Sequence, residues 1–180
     1  MQFNDSAPMP IIAIDFDGTI NCGGEDTYPI CGHPRAWARC VINFMRKLGI
    51  KVVIWTSRDV AFSQEDKKIY DHMTQMIEWM NENGIEYDAI NKSIQFAPFA
   101  YNGRKVYAHM YVDDRSFGWY GSQNGCDDIF LAILSEFLRK VCRFNNESAT
   151  RVVTCCEDGR DPDDWMIEGV KSWKCRKYEV

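Results

Sequence analysis

Residues 10–14, Pro10-Ile11-Ile12-Ala13-Ile14, form an unbroken apolar run rich in β-branched side chains. A run with no polar face predicts a strand buried on both sides, as in a parallel sheet. It stops at Asp15-Phe16-Asp17-Gly18-Thr19, and Gly23, Gly24, Pro29 and Gly32 then predict a loop over residues 20–33. Pro34 suits the first turn of a helix. Trp37, Val41, Phe44, Met45 and Leu48 follow at helical spacing, with Gly49 where a C-cap belongs. Residues 51–55 predict a second buried strand, which ends in Thr56-Ser57-Arg58. Ser63, with Asp66 three residues on, predicts a helix start. Ile69, Met73, Met76, Ile77 and Met80 supply that helix with an apolar stripe, and Gly84 stops it. Residues 87–90 and 107–112 predict two more strands, the second running into Asp113-Asp114-Arg115. Strands alternating with helices of this length make βαβ units, so the expected class is α/β with a mostly parallel sheet.

Further on, residues 127–143 predict an amphipathic helix with Ile129, Phe130, Ile133, Leu134, Phe137, Leu138, Val141 and Cys142 facing the core. Residues 152–156 predict a strand, 157–164 an acidic turn, and 171–177 a basic tail carrying Trp173. The expected organisation is an α/β core over residues 1–144 and a C-terminal extension, 145–180, packed on or beside it.

Composition narrows this picture. A chain of 180 residues, 46% hydrophobic and 26% charged, buries enough surface for a core of its own and is not a disordered polypeptide. No uncharged apolar run is long enough for a membrane span, and the first ten residues lack the basic and apolar regions of a secretory signal, so a cytoplasmic location is expected. A net charge of −5 argues against a general nucleic-acid binder. The eight cysteines contain no C-x-x-C pair and no zinc-finger spacing, which predicts reduced thiols. Cys22, Cys31 and His33 share one loop, but no fourth ligand is evident and their spacing fits no common zinc site.

The chemistry-bearing residues lie where the predicted strands end. In a parallel α/β sheet, ligands bind outside the carboxyl ends of the strands. Three of these ends are polar: Asp15 and Asp17, Thr56 and Ser57, Asp113 and Asp114. Four carboxylates brought together repel one another and call for a counter-charge. An all-oxygen donor set suits a hard divalent ion such as Mg²⁺. Gly18 lets the backbone turn away after the two aspartates, and Thr19 can tie that turn with its hydroxyl.

These motifs resemble the haloacid dehalogenase (HAD) superfamily of phosphotransferases. An apolar strand followed by DxDGT reads here as IIAIDFDGT, a strand ending in Thr or Ser as VVIWTS, and a strand ending in two acids as MYVDD. Their order and spacing match over residues 10 to about 143. The resemblance implies a Rossmann-like three-layer sandwich and a Mg²⁺-dependent phosphatase. Asp15 would be the nucleophile that forms an aspartyl-phosphate, and Asp17 the general acid and base. Thr56 and Ser57 would bind the phosphoryl group. Asp113 and Asp114, with Asp15 and the Asp17 carbonyl, would hold the metal. The family's phosphate-neutralising lysine falls on Lys105 or on Lys92. Lys105 is useless in a single extended strand, which would carry it about 26 Å from Asp113. It is favoured if the chain before the strand turns back towards the site. Arg58 and Arg115 flank the motifs and are expected in surface ion pairs.

Neither the stretch after Gly18 nor that between Arg58 and Lys105 has room for a cap domain, so a capless member with a small flap at residues 21–33 is expected. An open site of that kind admits large substrates or is closed by a neighbouring subunit. The implied substrate is a small phosphomonoester, a nucleotide or a nucleic-acid end. Dehalogenation fits less well, because it has no use for the acid that Asp17 supplies. A non-catalytic phosphate- or nucleotide-binding module on the same fold is the alternative.

Overall fold

The chain folds in order into β1 (Ile11–Ile14), α1 (Ala38–Lys47), β2 (Lys51–Ile54), β3 (Val60–Phe62), β4 (Ile69–Asp71), α2 (His72–Glu82), β5 (Ala89–Ile90) and β6 (Met110–Val112). These elements belong to a computed structural model that describes residues 10–23, 28–35, 37–94, 105–115, 135, 136, 138 and 139. The first helix starts at Ala38, four residues beyond Pro34, which instead bridges to Asn21 in the preceding loop.

Four strands form one sheet in the order β5-β2-β1-β6, and every neighbouring pair is parallel. The expected α/β class with a mostly parallel sheet is what the chain adopts. Ile14 is level with Ile54 of β2 and with Val112 of β6, so three strands end in one line. All four residues of β1 are buried, and their alternation sorts them between two cores. Ile12 and Ile14 pack with Val41, Phe44 and Met45 of α1 and Met76 and Met80 of α2. Ile11 and Ala13 face the other way, against Val53 and Val106, with Trp55, Ile94, Ala108 and Tyr111 around them. This double burial is why β1 carries no polar residue.

The two helices end alike. Ile50 donates to the Met45 carbonyl (3.0 Å) and Gly49 to Arg46 (2.8 Å), while Ile85 donates to Met80 (3.0 Å) and Gly84 to Asn81 (3.1 Å). Both are Schellman endings, and each returns the chain to the sheet through a buried isoleucine.

One expected element is replaced. Residues 63–66 do not start a helix; they turn the tip of an antiparallel hairpin in which Val60 pairs with Asp71 and Phe62 with Ile69. Lys67 has φ 60°, a left-handed turn conformation no helix interior accepts. The helix begins at His72, where the Asp71 side chain caps it by accepting from the Thr74 amide (2.8 Å). Ile69 therefore stands exposed on β4 rather than in a helical stripe.

The strands at 51–55, 87–90 and 107–112 are each shorter than expected, at Lys51–Ile54, Ala89–Ile90 and Met110–Val112. Ser135, Glu136, Leu138 and Arg139 are helical and Leu138 is buried in the core, in keeping with the helix expected at 127–143. The rest of that helix, the strand at 152–156 and the extension 145–180 lie outside the described residues. No helix among the described residues is long and apolar enough to cross a membrane.

Candidate active site

From β1 the chain runs to β2 and β5 on one side, and β6 then adds on the other, so the strand order reverses between β1 and β6. A crevice opens at such a switch point, outside the carboxyl ends. Asp15 and the pair Asp113 and Asp114 are the residues that leave those two strands. The Asp15 amide continues the ladder by donating to the Val112 carbonyl (2.8 Å).

The three carboxylates converge. Asp15, Asp113 and Asp114 each present an oxygen within 4.8 Å of the others, the one cluster of metal-ligand spacing among the described residues. Thr19, wholly buried, ties them: its hydroxyl donates to Asp15 Oδ2 (3.2 Å) and accepts from the Asp114 amide (2.9 Å). Burial, then the charges of Asp113 and Asp114, push the Asp15 carboxyl up to about 8. Burial and Asp113 raise Asp114 as well. A site made only of carboxylate oxygens, in which one acid resists ionising at neutral pH, fits a hard divalent cation such as Mg²⁺. The cation would replace the protons that the crowding otherwise demands.

Asp17 points elsewhere. Arg58 grips it with a two-pronged ion pair, Nη2 to Oδ1 (2.7 Å) and Nε to Oδ2 (2.8 Å), and Asn21 Nδ2 adds a bond to Oδ1 (3.2 Å). The expected surface fate of Arg58 is overturned: its side chain is 0% exposed. Phe16 and Tyr28 lie against it, and the Pro29 carbonyl accepts from its Nη1 (3.0 Å). The Asp17 carboxylate, expected among the metal ligands, stays outside the cluster formed by Asp15, Asp113 and Asp114.

At the end of β2, Thr56 is held by its backbone. Asn91 Oδ1 accepts from the Thr56 amide (2.9 Å) and Asn91 Nδ2 donates to the Thr56 carbonyl (2.7 Å). The Thr56 hydroxyl accepts from the Arg58 amide (3.1 Å) and keeps its own proton to donate. Ser57 is exposed beside it. Sequence reasoning passed over Asn91, which organises this edge, and Asn21, whose Oδ1 accepts from the Gly23 (3.0 Å) and Gly32 (2.7 Å) amides in the loop after β1. Asn91 follows Ile90 of β5 and so was a fourth polar strand end, the same signal that picked out the other three.

Of the two candidate lysines, Lys92 is exposed beyond β5. Lys105 places its ammonium over the Tyr111 ring (5.1 Å). Residues 105–108 form neither a strand nor a helix, and the Tyr107 amide donates to Ser93 Oγ (3.0 Å), which sets this segment beside the chain leaving β5. Arg115 donates its amide to Asp113 Oδ1 (2.8 Å). Cys22, Cys31 and Cys40 form no disulfide.

No family model and no curated protein matches this chain. Among solved structures, a conserved protein coded by a locus from Bacteroides thetaiotaomicron is similar, with a TM-score of 0.51 and 24% identity over 74% of this chain and 93% of that chain. A likeness at that identity speaks for the fold alone.

Proposed function

We propose that this protein is a Mg²⁺-dependent phosphatase of the HAD type, acting on a phosphomonoester through Asp15. The observation that carries the reading is the meeting of Asp15 with Asp113 and Asp114 at the switch point of the sheet, oxygens within 4.8 Å. Asp15, Asp113, Asp114 and the Asp17 carbonyl would hold Mg²⁺, which when bound offsets the charge between carboxylate and phosphate.

The rest belongs to the protein's own groups. Asp15 attacks phosphorus while the bond to the leaving oxygen breaks, and Asp17 gives that oxygen its proton. Asp17, now a carboxylate, takes a proton from water. The water oxygen attacks the aspartyl-phosphate, releasing inorganic phosphate and restoring Asp15. The Thr56 hydroxyl donates to a phosphoryl oxygen and Ser57 assists from the same strand end; Lys105, the favoured lysine for neutralising the phosphate, would have to leave the Tyr111 ring to do so. The class of substrate is a phosphomonoester, with a nucleotide or a nucleic-acid end as the kinds a capless site suits.

The alternative, a phosphate- or nucleotide-binding module without turnover, draws on one observation: both Asp17 oxygens are engaged by Arg58. Release of phosphate from p-nitrophenyl phosphate separates the two. Turnover that requires Mg²⁺, stops with chelator and falls at least about 10³-fold in Asp15→Asn supports the phosphatase. Mg²⁺-dependent phosphate binding with no turnover of any ester in a substrate panel supports the module.

A further inference from the structure

We infer that Arg58 is a positioning residue for the second half of the reaction, holding Asp17 as the base that activates water; this rests on the phosphatase reading. The ion pair is one-sided. The guanidinium is 0% exposed, whereas the Asp17 side chain keeps 24% of its surface open. The fork takes one lone pair from each Asp17 oxygen, and Asn21 takes a second from Oδ1. A carboxylate offers about four such sites, so Oδ2 retains one for a proton. Held in this way, Asp17 keeps one open acceptor position, on Oδ2, at which a water can bond.

The guanidinium is itself fixed from every side. Nη1 donates to the Pro29 carbonyl (3.0 Å), and its carbon lies 5.0 Å from the Phe16 ring centre and 5.2 Å from that of Tyr28. The Arg58 amide bonds the Thr56 hydroxyl (3.1 Å), so one residue touches both the proposed base and the proposed phosphate ligand. A planar fork holds a carboxylate in one orientation, which a lysine on the same stem cannot do.

The two halves of the reaction separate this role from mere support of the fold. p-Nitrophenolate is a good leaving group and needs little help from an acid, so phosphorylation of Asp15 should survive loss of Arg58 while hydrolysis of the phosphoprotein slows. In rapid-quench assays with p-nitrophenyl phosphate, Arg58→Met should give a burst of nitrophenolate approaching one per protein. Hydroxylamine-labile phosphate should accumulate on Asp15, and steady-state turnover should fall about 10²-fold. Arg58→Lys should fall between this variant and the wild type. Asp17→Asn should match Arg58→Met, and the double variant should be no slower than Asp17→Asn alone.

A folded Arg58→Met that shows no burst, with phosphorylation slowed as much as turnover, overturns the inference and leaves Arg58 a structural residue. If Arg58→Met does not fold, Arg58→Lys carries the test, and loss of fold in both equally assigns Arg58 to the framework. A wild-type protein that turns over no ester brings down the phosphatase reading itself, an outcome distinct from any of these.

Discussion

Gly18 shows how tightly single residues constrain the site. It has φ +81°, and a methyl group added there would lie 2.2 Å from Asp114 Oδ2 and 2.8 Å from its Cγ. An alanine at this position pays the left-handed backbone penalty of about 1–2 kcal/mol. It also forces Asp114 to swing out of the cluster it shares with Asp15 and Asp113. Gly18→Ala should therefore lower Mg²⁺ affinity by roughly tenfold or more, in line with a 1–2 kcal/mol loss at the site. Titration calorimetry on the variant reads this directly, and affinity unchanged within twofold would show that Asp114 takes no part in binding the ion. The glycine was legible in the sequence as the residue that turns the chain after two aspartates. Its second duty, leaving room for a carboxylate from the far end of the core, depends on β1 and β6 being neighbours, and no local pattern contains that. Arg58 was misread for a similar reason. Arginine belongs at the surface in general, and only the convergence of Asp17, Pro29, Phe16 and Tyr28 makes burial acceptable here.

At the scale of elements, β1 and β2 were legible because strands buried on both faces need apolar residues throughout and so stop sharply at polar ones, while β6, half-buried at Met110 and Tyr111, was legible from the two acids that end it. α2 was half legible. Met73, Met76, Ile77 and Met80 repeat with a helical period, and Ile69 happens to continue it backwards, so the pattern overran the cap. What decides the start is Asp71, whose carboxylate takes both the amide and the hydroxyl of Thr74 (2.8 Å each). The join between β2 and β5 depends on another aspartate, Asp88. It accepts from the Val52 amide (2.9 Å), Lys51 Nζ (2.9 Å) and Arg46 Nε (3.2 Å), bringing the last turn of α1 to the sheet edge. Burial works to raise Asp88, but these donors outweigh it and hold the carboxyl below its ordinary range. An acid with a lowered folded pKa stabilises above its unfolded value and loses that contribution as pH falls through the folded one. Asp88→Asn should thus cost about 1–2 kcal/mol near neutral pH, the worth of bonds to a charged group at a partly exposed site. In urea unfolding, the gap between wild type and variant should narrow as pH falls below the ordinary carboxylate range. A gap independent of pH would mean that Asp88 acts through shape and not charge.

Across the whole molecule, stability and the proposed activity oppose each other at Asp15. The sheet order puts three acids in one crevice, and folding makes Asp15 an acid that ionises only at about 8. For a carboxyl raised in the folded state, the contribution to stability is full below the unfolded value, near 4, and is lost as pH rises through the folded one. Without metal, the protein should therefore weaken between about pH 4 and pH 8 through this group. Asp15→Asn, which keeps the shape and removes the charge, should melt above the wild type near pH 8 while losing phosphatase activity. Mg²⁺ should reverse the order: to bind the ionised cluster it would have to displace a proton below pH 8, so its affinity should climb with pH. At a Mg²⁺ concentration about 100 times its dissociation constant, linkage gives about 2.7 kcal/mol. For a chain of this size that is several degrees in melting temperature. Thermal unfolding with and without Mg²⁺ should show the larger rise near pH 8, a smaller one near pH 6, and little at either pH in Asp15→Asn. Equal rises at both pH values would place the ion away from Asp15. A variant that responds to Mg²⁺ like the wild type would remove Asp15 from the ligand set, and the aspartyl-phosphate reading would lose the one carboxylate it cannot do without.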